Sequence, residues 1–344
     1  MGELRSTFVE AGARSAEDVA ADVVAFLDEA TRSLDVAIYD FEAREGPTVR
    51  IADALEAALA RGVAVRVVFN LEPSDNPADP RPMQGSPAAI DGLEVPTRGI
   101  DGRAGLMHHK YIVRDAQTVW TGSMNWTPDS LGVQENVLVT IDSPEVASAF
   151  LANFERLWTR GRIDRSGSVG DVLELDHGVR VRPMFSPFPP FLGHAVAGRI
   201  VEANRRIRVL SPVLTSGAVL GTLCEHIARS RLDVGGAYDL TQMEDVQRQW
   251  GLVPHNRWKI EAWKTIAPYL AGKVSTRYRP DAVHDYMHAK AVVVDDEVIT
   301  GSFNFSKHGE GNAENVLFVV SEYHAVRFAE FADRVAARYV VAST

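Results

Sequence analysis

The chain has 344 residues, 46% hydrophobic and 24% charged, with a formal net charge of −10: enough for two ordinary domains of a globular protein. Its acidity argues against a surface built to coat nucleic acid by neutralising phosphates, though not against a local basic groove. The single cysteine, Cys224, excludes a disulfide framework and a cysteine metal cluster; no apolar run is long enough to cross a bilayer and residues 1–10 carry no secretory pattern, so a cytoplasmic location is expected.

In chain order, Val23 to Phe41 reads as a helix and then a strand, and Ile51 to Asn70 repeats that order with Gly62 ending its helix. Glu72 to Pro96, rich in Pro, Asp and Gly, is expected as a surface loop long enough to border a site. A block at Met107–Trp126 follows, then a strand in Gln134–Ile141 and a helix in Val146–Trp158. Asp164 to Gly170 has the Gly/Ser composition of a flexible joint and divides the chain into residues 1–165 and 171–344.

The second half returns to the same order. Ser186 to Gly193 is a proline-rich surface segment whose Phe188 and Phe191 either tuck into their own core or offer an interfacial anchor. Ala195–Val213 is helix then strand, and a helix near Leu220–Arg229 leads into Leu232–Leu240. Cys224 lies in the apolar-periodic Val219–Ile227 and is expected as a core thiol. Trp258, Ala262, Ile266 and Leu270 recur at helical spacing, predicting one core-packed helix face. A second block, Met287–Ser306, precedes a strand in Ala313–Val320 and a helix in His324–Ala336. Strands alternating with helices predict an α/β layer structure, and a repeat this long predicts a duplicated domain, not a solenoid.

The two blocks carry the chemistry. Each holds His-x-Lys, four residues and Asp: His108, Lys110, Asp115 and His288, Lys290, Asp295. Residues two apart on a strand share a face, so imidazole and ammonium stand side by side. Gly-Ser-x-Asn follows (Ser123 and Asn125, Ser302 and Asn304), offering hydroxyl and amide donors to an anion, and then Glu135 and Glu314. This set suits a phosphodiester: lysines, serines and asparagines hold the phosphoryl oxygens, one imidazole attacks phosphorus and the other protonates the leaving oxygen. A carboxylate on the second ring nitrogen would fix each tautomer, and no metal or other cofactor is required. Asp115 and Asp295 fall between apolar strands, where a hairpin needs an aspartate, so both are expected to be structural. His109 points to the opposite strand face and is expected as a packing residue, while His284 and His308 are expected on solvated loops. Arg205, Arg206, Arg208, Arg156, Arg160, Arg162 and Arg165 add basic charge, read as solvated faces.

This duplicated HxKxxxxD pattern resembles the phospholipase D superfamily, with the likeness running from about Ala16 to Val341. The resemblance implies two tandem α-β-α sandwiches with mixed sheets, related by a pseudo-twofold axis, with one active site at their interface. It implies a phosphohistidine on His108, with His288 as acid and then base, and Glu135 and Glu314 orienting the histidines. Nuclease-type members are similar in Thr121–Trp126 and Arg61–Val68, so the expected partner is a phosphodiester of nucleic acid before phospholipid. Phospholipid hydrolysis or headgroup exchange is the alternative. An inactive phosphate-binding module is disfavoured because every proposed site position is filled in both halves.

Overall fold

The structure is a computed structural model that describes residues 2–44, 46–72, 84–85, 90, 92–229, 231–279 and 282–339. Two mixed sheets share one strand permutation. The first runs Glu3–Val9, Asn136–Asp142, Thr118–Gly122, Lys110–Arg114, Ser33–Ile38, Ala64–Glu72, with Gln84–Gly85 and Thr97–Asp101 both paired to the last of these. The second runs Leu173–Glu174, Arg180–Phe185, Asn315–Val320, Glu297–Gly301, Ala291–Val294, Arg206–Ser211, Asp233–Asp239, Ala271–Lys273, with Ser168–Val169 also on Arg180–Phe185. The α/β class and the duplication expected from the sequence are thus present.

Each sheet has the strand types its residues favour. Ala291–Val294 reads Ala-Val-Val-Val and is buried throughout, as a strand covered on both faces must be. Ser33–Ile38 pairs in parallel with Ala64–Glu72, and Arg206–Ser211 with Asp233–Asp239, through helices Val49–Ala60 and Gly217–Arg229. Those helices and their neighbours cover the outer faces with separate apolar cores. Between the sheets lies a third core, built from both halves, to which helix Pro144–Arg160 contributes Phe150 and Phe154 and helix Glu322–Arg338 contributes Phe328 and Phe331. Phe8 of the first strand stacks on Phe331 at 4.7 Å, so the two halves are joined by hydrophobic burial.

Several expectations change. The joint at 164–170 is anchored: Ser166 is buried, its carbonyl accepts from Asn153 and Arg156, and Ser168–Val169 pairs with Met184–Phe185. Trp258 is 46% exposed while Ala262, Ile266 and Leu270 are buried, because the ring lies outside the core against Gly217 and Gly221. Phe188 and Phe191 are exposed and do not tuck inward. Cys224 is half-buried against the outer core of the second half. Of the long loop, residues 73–83, 86–89 and 91 lie outside the described residues.

Candidate active site

The two blocks meet where the sheets abut. His108 N donates to Ala313 O at 2.9 Å, and Met107 bridges Ala313 as Met287 bridges Glu135, so each motif strand is pinned to the other half. Asn70 Oδ1 accepts from Met107 N at 2.8 Å and Asp239 Oδ2 from Met287 N at 3.1 Å, fixing the residue before each motif histidine. Gly122 and Gly301 are required by close approach: a Cβ there would stand 2.1 Å from Val137 O or Asn315 O.

His108 Nδ1 lies 2.9 Å from the carboxylate of Glu314. A carboxylate only accepts, so Nδ1 carries the proton and Nε2 is left with its lone pair. Ser302 Oγ donates to the same carboxylate at 2.5 Å and Asn312 Nδ2 at 3.3 Å. His288 Nδ1 faces a different group, Asn136 Oδ1, at 3.1 Å. That carboxamide is oriented by donating Nδ2 to Ser130 O at 3.0 Å, and its Oδ1 also accepts from Ser123 Oγ at 2.7 Å. Each imidazole is therefore held by a residue of the opposite half.

Two sequence expectations are corrected here. Glu135 does not orient His288. It is fully buried and ion-paired with Lys273 Nζ at 2.9 Å, and Tyr339 OH donates to its other oxygen. The cause is register: Ser123 and its partner Asn136 are 13 residues apart, Ser302 and Glu314 only 12. One extra residue turns Glu135 away and brings Asn136 to the face that Glu314 occupies. The serine hydroxyls, expected on the phosphate, are instead bonded to these orienting groups.

Lys110 and Lys290 are both fully buried, each donating Nζ to the carbonyl of its own motif histidine, at 2.8 and 2.6 Å. Burial pushes Lys110 down to about 7, with the Glu314 charge acting in opposition, and Lys290 well below its ordinary value, helped by the charge of Lys110. Burial and the two ammoniums likewise hold His108 and His288 below the usual histidine range, and burial pushes the Glu314 carboxyl up to about 7. Burial thus favours the neutral forms of these four bases, and an anion bound among them would draw their charge back. Among the described residues, Asn125 and Asn304 each have a buried Oδ1 without a partner, at the same positions of the two Gly-Ser-x-Asn segments. Turned over, each presents its NH2 there.

The motif aspartates sit at the far edge of the sheets. Asp115 accepts from the backbone N–H of Thr31, Arg32 and Ser33 at 2.6–3.2 Å, and Asp295 from those of Asn204, Arg205 and Arg206 at 2.9–3.0 Å. His109 is buried against Tyr111 and Phe185, with Nδ1 3.3 Å from Asn315 Oδ1. His284 stacks between Tyr278 and Tyr286, whereas His308 is exposed. Sequence reasoning missed Tyr39, whose ring lies 4.6 Å from that of His108 and 4.9 Å from Lys110 Nζ. The arginines are engaged with neighbouring groups: Arg205 pairs with Asp296, Arg208 with Asp233 and Asp333, Arg156 bonds Ser166 and Ser168, and Arg162 pairs with Asp164.

A family model described as "Cardiolipin synthase, PLD-like domain" matches the chain twice, at residues 23–158 and 196–337. The mitochondrial cardiolipin hydrolases of Xenopus laevis and Homo sapiens are 35% and 33% identical over 130 and 133 residues, 38% of this chain in each case. Those alignments cover 56% and 46% of the relatives, so the chain spans about half the length of the curated proteins it matches. A solved phosphatidylserine synthase from Haemophilus influenzae superposes with a TM-score of 0.69 over 97% of this chain and 86% of that one, at 12% identity, a likeness of fold.

Proposed function

We propose that this chain, which belongs to the phospholipase D superfamily as a two-repeat member, is a phosphodiesterase acting through a phosphohistidine on His108. The carrying observation is the cross-half placement of unlike partners: a carboxylate, Glu314, behind His108 and a neutral amide, Asn136, behind His288. Attack by His108 Nε2 on phosphorus leaves a positively charged ring, which Glu314 stabilises and Asn136 would not. The anionic substrate favours a protonated His288, and as the phosphorus–oxygen bond to the leaving group breaks, His288 Nε2 gives that oxygen this proton. Water then adds to phosphorus, its proton passes to His288, the nitrogen–phosphorus bond breaks and His108 is regenerated. Lys110, Lys290, Asn125 and Asn304 hold the non-bridging oxygens throughout, so the positive charge for the step comes from the chain itself.

Phospholipid is the better-supported substrate class. The curated relatives are named as cardiolipin hydrolases. Purified protein in excess EDTA should release headgroup or phosphatidate from a soluble short-chain phospholipid and lose that activity in His108→Ala. Cleavage of single-stranded DNA or RNA with phospholipid untouched would overturn the substrate assignment. Loss of all turnover on chelation, restored by a divalent cation, would overturn the mechanism.

A further inference from the structure

The exposed large apolar side chains are unevenly placed. Among the described residues every one belongs to the second half, from Val172 onward. Six lie on segments bordering the cleft. Phe188 and Phe191 follow Ser186, whose N–H and hydroxyl are bonded around Glu314. Val274, Tyr278 and Val283 occupy the segment that leaves Lys273 and reaches His288, with Val274 and Tyr278 73% and 72% exposed. Trp258 lies against Gly217 at the start of its helix, and the neighbouring Lys259 feels the charge of Lys307, three residues past Asn304.

Exposed apolar side chains scattered singly are ordinary, but several gathered on one side of a molecule mark an interaction surface. Tyr278 continues an aromatic stack through His284 to Tyr286, two residues before His288, and that stack is pinned to the first half by Asp129 accepting from His284 N at 2.7 Å. Tyr278, His284 and Tyr286 are thereby held in one stack beside the motif strand. Cations accompany the tips: Lys259 Nζ lies 5.9 Å from the ring of Trp258 and 5.7 Å from that of Trp250, and burial with the charge of Lys307 holds it below its usual pKa. Arg277, 61% exposed, pairs with Asp245 at 3.5 Å and Glu244 at 3.8 Å.

We propose that this rim of the second half docks on an anionic phospholipid surface, with its aromatic and aliphatic tips in the headgroup layer and Lys259, Lys307 and Arg277 against lipid phosphates. The inference rests on the phospholipid reading of the active site. Tyrosine and tryptophan rings, apolar with one polar edge, suit that layer, and basic residues beside them add attraction for anionic lipid. The net charge of −10 repels such a surface, so attachment depends on the local patch and weakens with salt. No helix among the described residues is long and apolar enough to cross a membrane, so the contact is a surface one.

The test compares wild type with the double substitution Tyr278→Asp, Val283→Asp and with Trp258→Ala, all at exposed positions outside the catalytic set. Co-sedimentation is measured with phosphatidylcholine vesicles with and without phosphatidylglycerol, beside hydrolysis of vesicles and of a soluble short-chain phosphatidylcholine. Wild type should bind the anionic vesicles, and less so at high salt. The variants should lose at least about tenfold in vesicle binding and hydrolysis while keeping soluble turnover. Soluble turnover without vesicle binding, or variants that bind as wild type does, would overturn the docking surface and leave the proposed function standing. Absence of soluble turnover would count against the proposed function, with co-sedimentation still deciding the docking. Single-stranded DNA bound in place of vesicles, and released by the same substitutions, would assign the aromatic rim to base stacking instead.

Discussion

The carboxylate of Glu314 stands 2.9 Å from Nδ1 of His108, although 206 residues separate the two. The corresponding contact of His288 is to an amide, and this difference sets the two rings unequal tasks. Glu314→Gln removes the charge that stabilises the phosphorylated ring and should lower kcat about a hundredfold on every substrate. Asn136→Ala disturbs only His288, so the first step on a p-nitrophenyl phosphodiester, whose leaving group departs without a proton, should slow far less when read as the burst of p-nitrophenolate. Equal slowing of that burst in the two variants would remove the asymmetry from the account.

Lys273 and Glu135 form a buried pair that no part of the chemistry uses. Removing one partner leaves the other charge buried and uncompensated, so Lys273→Met should destabilise by roughly 3–5 kcal/mol. Adding Glu135→Gln should recover a large part of that loss. Urea titrations of the two single variants and the double variant measure the coupling. A Lys273→Met protein within about 1 kcal/mol of wild type would show the pair to be inert.

Asp115 is predicted to act on stability and not on turnover. Asp115→Ala leaves three backbone donors short of their acceptor and should cost about 1–3 kcal/mol, with kcat of the folded fraction unchanged. Its carboxyl is held below the usual range by those hydrogen bonds, against burial. The contribution is therefore present above the pKa of the unfolded chain and lost as pH falls through the folded value. Wild type and Asp115→Asn should accordingly converge in Tm on acidification. A gap that widens there would contradict the assignment.

Anion binding should follow the charge of Lys110, which burial sets near 7. Below that pH the ammonium is charged and attracts a tetrahedral anion; above it the attraction fades. Sulfate keeps its charge across this range, so it should raise Tm more at pH 6 than at pH 8.5. Equal or greater protection at the higher pH would mean that the ammoniums do not hold the anion.

The duplication, both strand–hairpin blocks and the class of chemistry were legible in the sequence because spacing of two on a strand fixes which side chains share a face. The pairing across the halves was not. Glu135-Asn136 and Glu314-Asn315 are the same dipeptide, and matching them by letter makes Glu135 the partner of a histidine. The ladder matches them differently, since Gly122 faces Leu138 while Gly301 faces Val316. A single added loop residue ahead of the strand inverts its faces, and nothing local in the sequence marks where that residue is absorbed. Lys273, Tyr339 and Asp239 were equally hidden, because each gains its role only from contacts with distant segments.

The most direct measurement is the site of the covalent intermediate. His288→Ala, mixed with a p-nitrophenyl phosphodiester and quenched rapidly in base, should accumulate a phosphoryl adduct that mass spectrometry locates on His108, because attack proceeds without the acid while water is no longer activated. His108→Ala treated in the same way should carry no adduct. An adduct on His288, trapped by His108→Ala, would contradict the account.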